Sequence, residues 1–331
     1  MLAVIVDEPG EKSVLRVAEV PPPELTRDGI RIAVAAAGVN RADLLQRRGL
    51  YPPPDGASEI LGLECAGRVV ATSRGASRFE PGQRVMALLA GGGYAEEVVA
   101  PEPCVAPTPP SLTDFEAAAF PEAFATAFLN LFQLGGLDAG GVALIHGGSG
   151  GVGTAAIQLA AAADAQTVVT AGSEQRCERC LELGATHACN YRSDDFVTAV
   201  LEATGGRGAD VVLDCIGGDY LDRNLRALAP DGRLVVIGLM GGRDAGIDLG
   251  RLLTRRLQII GSTLRALSPS RKGQILSALR TQFGHHIDGG DIAPILDRTL
   301  PFSRAAEAHR LMAEGGIFGK IVLTPDPDAP R

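Results

Sequence analysis

A chain of 331 residues, 46% hydrophobic and 21% charged, is long enough for about two packed cores and too apolar for a disordered linker. Its formal net charge of −8 argues against a general nucleic-acid binder or a polybasic membrane binder. No apolar run approaches about 18 residues and no basic n-region opens the chain, so neither a spanning helix nor a secretory signal is expected, and the sequence reads as soluble and cytoplasmic.

Residues 1 to about 122 read as mainly β. Short apolar runs (Leu2–Val6, Ile30–Ala36, Gly67–Ala71) alternate with Pro21-Pro22-Pro23, Tyr51-Pro52-Pro53-Pro54 and Pro81-Gly82, a pattern that predicts a small, partly open barrel. From Asp114 the pattern becomes helical, with Ser111 or Thr113 as candidate cap and a further helix over Pro121–Leu134. Strand–helix units follow. Val142–Ile145, Thr167–Thr170, Ala209–Asp214, Gly232–Gly238 and Leu257–Ser262 are the strands, and their spacing predicts a parallel, doubly wound α/β sheet. Helices over Ser270–Phe283 and Arg304–Met312 and extended stretches at Ile295–Leu300 and Gly319–Thr324 complete the chain, which is expected to fray from Pro325. The domains are therefore drawn at 1–122, 123–263 and 264–331, the last returning to the first.

The most informative stretch is Val142–Ala160. A short apolar strand runs into Gly147-Gly148-Ser149-Gly150-Gly151-Val152-Gly153 and then into an Ala-rich helix. Gly148, Gly150 and Gly153 fit G-x-G-x-x-G in the strand–turn–helix context that dinucleotide binding requires. A tight turn, room for pyrophosphate against bare backbone, and close helix–strand packing are the roles of the three, with the helix N-terminus facing the phosphates. The second strand chooses the cofactor. It ends Thr170-Ala171-Gly172-Ser173 without the acid that would bind a ribose 2′-hydroxyl, whereas Ser173, Arg176 and Tyr191 suit a 2′-phosphate, so NADPH is expected. Glu174 would oppose that phosphate if it turned inward, and Arg176 has the simpler alternative of solvating a helical first turn. Six cysteines are scattered; the Cys177–Cys180 pair reads as two small side chains one helical turn apart, not as a redox or metal motif. Arginine far outnumbers lysine, which occurs only at positions 12, 272 and 320 and is read as genome bias.

Gly38-Val39-Asn40-Arg41-Ala42-Asp43, Gly62-Leu63-Glu64-Cys65-Ala66-Gly67, Gly91-Gly92-Gly93-Tyr94-Ala95-Glu96, the glycine turn, Asp214-Cys215-Ile216-Gly217-Gly218 and Gly319-Lys320-Ile321-Val322-Leu323 span nearly the whole chain. With them the sequence resembles the zinc-free quinone oxidoreductase (zeta-crystallin-like) branch of the medium-chain dehydrogenase/reductase superfamily. Tyr51-Pro52-Pro53-Pro54, Ala87-Leu88-Leu89 and Gly238-Leu239-Met240-Gly241-Gly242 resemble most the tumour-suppressor-inducible group of animals. The resemblance implies a GroES-like catalytic domain, a Rossmann domain, and a homodimer formed through Rossmann sheet edges. Zinc-dependent members carry Cys in the first motif and His before the Glu of the second. Asn40 and Leu63 stand there, and between Val85 and Phe120 the only cysteine is Cys104, so no metal is expected.

Without a zinc site, hydride transfer to an already electrophilic acceptor is the easier chemistry, and a quinone is the expected acceptor. The resemblance makes Tyr51 and Asn40 the candidate catalytic residues. Tyr51 would donate a proton to the reducing oxygen and Asn40 would lie beside the nicotinamide ribose. Thr126 would contact the nicotinamide side; Gly150, Gly151 and Val152 the pyrophosphate; Ser173, Arg176 and Tyr191 the 2′-phosphate; Ile216, Leu239, Met240, Phe318 and Lys320 the cofactor cleft. The plainer readings are a Tyr51 ring packed among prolines, Asn40 as a loop residue and Lys320 as an exposed strand-edge lysine. Reduction of an activated C=C bond (2-enal, enone or enoyl thioester) is the alternative reaction. An NADPH-binding structural or RNA-binding protein is the alternative of another class, against which the acidic balance weighs.

Overall fold

The computed structural model describes residues 1–10, 14–76 and 78–326. The fraying expected of the C-terminus falls, for residues 327–331, outside them. The chain divides into two compact units, Met1–Ala125 with Leu264–Arg331, and Thr126–Thr263.

In the first unit, β1 (Leu2–Val6) and β2 (Leu15–Glu19) pair antiparallel. The long strand β3 (Gly29–Gly38) carries alternating burial, with Ile30, Ile32 and Ala36 fully inside, as the period of two requires. It leads into α1 (Arg41–Arg47), then β4 (Glu64–Thr72), β5 (Arg84–Leu88), β6 (Glu97–Pro101), β7 (Val105–Pro107) and α2 (Asp114–Ala118). Thr113 caps α2 reciprocally: its hydroxyl accepts from Glu116 N–H and the Glu116 carboxylate accepts from Thr113 N–H. Ser111, the other candidate cap, donates instead to Ile287 O at 2.6 Å. Next, α3 (Pro121–Phe128) continues as a wider π-helical turn to Leu134.

The second unit contains β8 (Val142–His146), α4 (Gly151–Ala162), β9 (Gln166–Ala171), α5 (Glu174–Glu182), β10 (His187–Asn190), α6 (Phe196–Ala203), β11 (Ala209–Asp214), α7 (Leu221–Ala227), β12 (Leu228–Val236), α8 (Leu249–Arg255) and β13 (Gln258–Gly261). All six strands are parallel, in the order β10-β9-β8-β11-β12-β13. Counted along the unit this is 3-2-1-4-5-6, the dinucleotide-binding order, with its switch point between β8 and β11. β12 begins at Leu228, four residues before the expected Gly232, because the chain bends through Asp231 (φ 65°) and shifts register before regular pairing resumes.

The chain then enters α9 (Pro269–Gly289), β14 (Leu296–Pro301), α10 (Ala305–Glu314) and β15 (Lys320–Thr324). α9 outruns the expected Phe283 because nothing breaks it before Gly290, which takes the left-handed cap (φ 85°). β14 and β15 pair parallel across α10, and β15 joins β3 antiparallel. The sheet of this unit thus runs β14-β15-β3-β4-β5-β7, with β6 also on β3. Ile30, Ile32, Leu61, Tyr94, Phe302, Ile321 and Leu323 form its core. The fold is α/β, a GroES-like β domain with a Rossmann sheet.

Candidate functional site

In the second unit the glycine turn follows β8, and each glycine has a measurable reason. Gly147 takes the left-handed conformation (φ 70°), so the tight turn falls there and not on Gly148. A Cβ on Gly148 would lie 2.9 Å from Val169 Cβ, so Gly148 serves strand packing. A Cβ on Gly153 would collide with Gly147 O and reach 2.7 Å from Gly148 Cα, the close helix–turn approach expected. A Cβ on Gly150 would meet only Gly147 O at 3.4 Å, which leaves its backbone approachable. Gly150 is the N-cap of α4, so Gly151 and Val152 begin the helix and their N–H groups belong to its unpaired first turn.

The end of β9 gathers the three residues expected to choose the cofactor. Ser173 caps α5 and its hydroxyl accepts from Arg176 N–H at 3.4 Å. The Tyr191 hydroxyl stands over Gly172, 2.9 Å from where a Cβ would be, and Tyr191 N–H bonds Ala171 O. Glu174 accepts from Asn190 Nδ2 at 2.8 Å, which occupies the carboxylate that would oppose a phosphate. Ile216, Leu239 and Met240 lie on the loops after β11 and β12, tied together by Gly241 N–H to Ile216 O and Met240 N–H to Cys215 O. Leu239 and Met240 are exposed. Thr126 starts the unit on α3, its carbonyl accepting from Asn130 Nδ2.

Sequence reasoning missed the polar wire beneath these loops. Gly147 N–H donates to Thr170 Oγ1, whose hydroxyl faces His146 Nδ1 at 3.1 Å, and His146 Nε2 bonds Asn224 Oδ1 at 2.7 Å. This network assigns the Nε2–H tautomer. Burial pushes the His146 imidazole down to about 4, so it stays neutral. Asp214, 1% exposed, accepts from Ile216 N–H and Gly217 N–H and shapes the next loop. Cys177 and Cys180 are buried and their thiols are pushed up, chiefly by burial, which makes them packing residues.

In the first unit, Asn40, Glu64 and Lys320 form one network. Lys320 Nζ donates to Val39 O (2.8 Å), Asn40 Oδ1 (2.6 Å) and Glu64 Oε1 (2.6 Å). These three partners match the three protons of an ammonium, and at 3% exposure Lys320 is not an exposed strand-edge lysine. Within its unit it is the counter-ion of Glu64. Phe318 is 4% exposed, and its N–H donates to Asp297 Oδ1 at 2.9 Å. Asn40 Nδ2 donates to Glu64 Oε1 (2.9 Å), and Glu64 Oε2 accepts from Glu122 N–H (2.8 Å) at the N-terminus of α3, where a negative charge is favoured. Gly38 makes this possible, since a Cβ there would run into the Glu64 carboxylate. Asn40 is thus the N-cap of α1 and part of a buried ionic network, more than a plain loop residue.

A second buried set braces the first. Asp43 accepts from Asn40 N–H, Gly62 N–H and the Tyr94 hydroxyl, which also approaches His309 Nε2 at 3.4 Å. Burial raises the Asp43 carboxyl to about 6 against these donors. Tyr51 is half-buried and held by Arg265. The guanidinium donates to Tyr51 O (3.1 Å), Ala90 O (2.8 Å) and Gln46 Oε1 (2.7 Å), with its carbon 5.3 Å from the Tyr51 ring centre. The ring therefore has an arginine partner beyond its own prolines. A cavity of about 260 Å³ in this unit is lined by Met1, Ser58, Leu89 and Val98 among others, and touches none of Asn40, Tyr51, Glu64 or Glu122.

The zinc positions can be tested directly. Leu63 is apolar and 1% exposed, Asn40 is engaged on both sides, and the Lys320 ammonium already neutralises Glu64. A second cation there would face a fixed charge with one carboxylate as ligand, so this donor set does not fit catalytic zinc. Among the described residues no group of three or more His, Cys, Asp or Glu side chains is placed to hold a metal. The glycine turn and the acid-free end of β9, by contrast, fit a phosphorylated dinucleotide.

A GroES-like β domain followed by a 3-2-1-4-5-6 parallel sheet defines the class as an α/β oxidoreductase. Family models match the chain as "Alcohol dehydrogenase GroES-like domain" over residues 26–110 and "Zinc-binding dehydrogenase" over 151–280. The synaptic vesicle membrane protein VAT-1 homolog of Rattus norvegicus is 32% identical over 331 residues, covering 93% of this chain and 79% of that one. A phenolphthiocerol/phthiocerol polyketide synthase of Mycobacterium tuberculosis is 35% identical over 322 residues; the match takes in 96% of this chain and spans only 14% of that relative. An Escherichia coli quinone oxidoreductase complexed with NADPH superposes with a TM-score of 0.88 at 28% identity, over 98% of this chain and 100% of that one. An NAD-dependent alcohol dehydrogenase superposes with a TM-score of 0.87 at 32% identity and the same coverage. The chain belongs to the medium-chain dehydrogenase/reductase superfamily, and its donor set marks it as a zinc-independent oxidoreductase of that superfamily. No helix among the described residues is long and apolar enough to cross a membrane.

Proposed function

We propose that the protein is an NADPH-dependent quinone reductase. The observation that carries this reading is the likeness, along 98% of the chain, to a quinone oxidoreductase complexed with NADPH. The motifs at Tyr51–Pro54, Ala87–Leu89 and Gly238–Gly242 support the tumour-suppressor-inducible branch. NADPH, when bound, supplies a hydride from its nicotinamide ring. Gly150, Gly151 and Val152 would meet its pyrophosphate with backbone N–H groups, and Ser173, Arg176 and Tyr191 its 2′-phosphate. Thr126 would contact the nicotinamide side, and Ile216, Leu239, Met240, Phe318 and Lys320 would line the cofactor cleft. Asn40, fixed by Glu64 and Lys320, would orient the ribose, and Tyr51, fixed by Arg265, would give the reduced oxygen its proton.

Arg176→Ala is expected to weaken NADPH by about 10- to 100-fold, the worth of a charge-assisted hydrogen bond, and to leave NADH nearly unchanged. Calorimetric titration with both dinucleotides checks this; an equal loss for the two removes Arg176 from the 2′-phosphate. The function itself is tested by following NADPH consumption with a quinone and a 2-enal in parallel and NADH as control. Quinone turnover with NADPH supports the reading. Turnover of the enal alone favours reduction of an activated C=C bond, a second reading supported by the 35% identity to a segment of a polyketide synthase.

A homodimer through the Rossmann sheet edge is the proposed assembly. β13 is an edge strand with Ile259 40% exposed, and Leu249 and Leu253 beside it are 64% and 77% exposed. Light scattering should report a dimer that Leu253→Asp weakens; a monomeric parent protein ends the idea. The six cysteines are all free thiols, which suits a reducing compartment, and the cytoplasm is the proposed location. The acidic balance supports small-molecule partners over nucleic acid.

A further inference from the structure

His146 closes β8 at 3% exposure, and nothing in the scheme above uses it. The rings of Phe196 and Tyr220 meet its imidazole edge-on, with centres 4.7 and 4.9 Å away and planes at 73° and 72°, which holds the plane of the ring. Its two nitrogens face opposite partners, Nε2 the fully buried Asn224 of α7 at 2.7 Å and Nδ1 the hydroxyl of Thr170 at 3.1 Å. Asn224 Nδ2 meets full hydrogen-bond geometry with no acceptor among the described residues, yet the amide favours the Asp214 charge, which only its nitrogen can do. Oδ1 is thereby left for the imidazole. Thr170 in turn takes both N–H groups that open the glycine turn: its Oγ1 accepts from Gly147 N–H at 3.3 Å and its carbonyl from Gly148 N–H at 2.9 Å. The loop after β11 is tied in from the other side, where Cys215 Sγ–H donates to His146 O at 3.5 Å.

We propose that Asn224 is a positioning residue for the dinucleotide, acting through His146 and Thr170: it sets which way the hydrogen-bonded chain runs and so holds Gly147 N–H and the turn that presents Gly151 and Val152. The proposal rests on the reading of that turn as the pyrophosphate site, and none of the three side chains touches the dinucleotide. With Nε2–H donated to Asn224 Oδ1, Nδ1 is a bare acceptor. The Thr170 O–H then points at Nδ1, and its oxygen lone pairs face Gly147 N–H. A proton on Nδ1 would reverse this. Thr170 Oγ1 would have to accept from the imidazole, and its own proton, with no other acceptor among the described residues, would be pressed towards Gly147 N–H. Because Phe196 and Tyr220 hold the ring plane, the imidazole cannot turn over to exchange its nitrogens, and only the position of the proton is free to change. Asn224 Oδ1 removes that freedom.

The test uses the intact protein and its Asn224→Leu, Thr170→Val and Thr170→Ser variants. Nitrogen NMR spectra of histidine-labelled protein read the tautomer, His146 being the signal lost in His146→Phe. In the parent Nε2 should carry the proton, and in Asn224→Leu the Nδ1–H form should appear. Hydrogen exchange at Gly147 N–H should then quicken by about 10-fold, and calorimetry should show NADPH bound about 10-fold more weakly, the worth of one buried hydrogen bond. Thr170→Val, nearly the same shape without the hydroxyl, should change exchange and affinity in the same way, and Thr170→Ser should restore both. An Nδ1–H imidazole in the parent, or Gly147 exchange unmoved in Thr170→Val, overturns the proposal. Equal losses in the two threonine variants overturn it too, because packing and not the hydroxyl would then be what matters. Should Asn224→Leu not fold, the threonine pair and the parent's tautomer decide alone. If the parent binds no dinucleotide, the functional reading falls by itself, and the tautomer and the Gly147 exchange still decide whether the chain holds the turn.

Discussion

Lys320→Met should destabilise the protein by about 3–5 kcal/mol, the cost of leaving a buried carboxylate without its counter-ion. Glu64 is 0% exposed, and Lys320 is the one cation bonded to it among the described residues. After substitution only Asn40 Nδ2 and Glu122 N–H would remain as donors, two neutral groups for a full charge. Because total stability for such a domain is about 5–15 kcal/mol, denaturant unfolding should move far outside error. The double variant Lys320→Met with Glu64→Gln should recover most of the loss, since it removes the orphaned charge and not merely its partner. A single variant within about 1 kcal/mol of the parent would mean that water reaches Glu64.

Gly153→Ala should impair both folding of the second unit and dinucleotide binding, whereas Gly150→Ala should impair binding alone. The new methyl at 153 meets Gly147 O and Gly148 Cα, backbone atoms of the turn itself, which cannot swing aside as a side chain can. Overpacking of this kind costs about 1–3 kcal/mol. The turn would also be pushed from α4, which is expected to weaken dinucleotide binding by about a hundredfold. At 150 the methyl finds ordinary van der Waals distance, so melting should be unchanged while the backbone approach is covered. Thermal melts beside dinucleotide titrations separate the two. Equal melting temperatures for both variants would refute the packing argument.

The legible parts of the sequence were those with local rules. Strand, glycine turn and helix in succession disclosed the Rossmann sheet, and the Thr113–Glu116 spacing contained its capping box. Within the turn, three glycines in a short stretch hid which one takes the positive φ, because the motif constrains spacing and not dihedral. The first unit's polar cluster was invisible because its members lie far apart in sequence: Asn40 and Lys320 are 280 residues apart, Gln46 and Arg265 219. No periodicity links such positions. One signal was available and misread. In a chain that uses arginine almost everywhere, lysine survives at three positions, and two of them, Lys272 and Lys320, are buried beside carboxylates. A compact ammonium fits there where a planar guanidinium would not. No motif marks Arg265, and only its three acceptors give it a role.

The pairing of β15 with β3 also sets a timetable for synthesis. A ribosome extending the chain at about 5–20 residues per second makes β3 early and Lys320 roughly 15–60 s later. Throughout that interval Glu64 has no ammonium and β3 lacks one of its neighbours, while the second unit, contiguous in sequence, has everything it needs to close. The nascent chain thus carries a complete nucleotide-fold sequence while the β domain still waits for the strand that closes on Ala37 and Gly38.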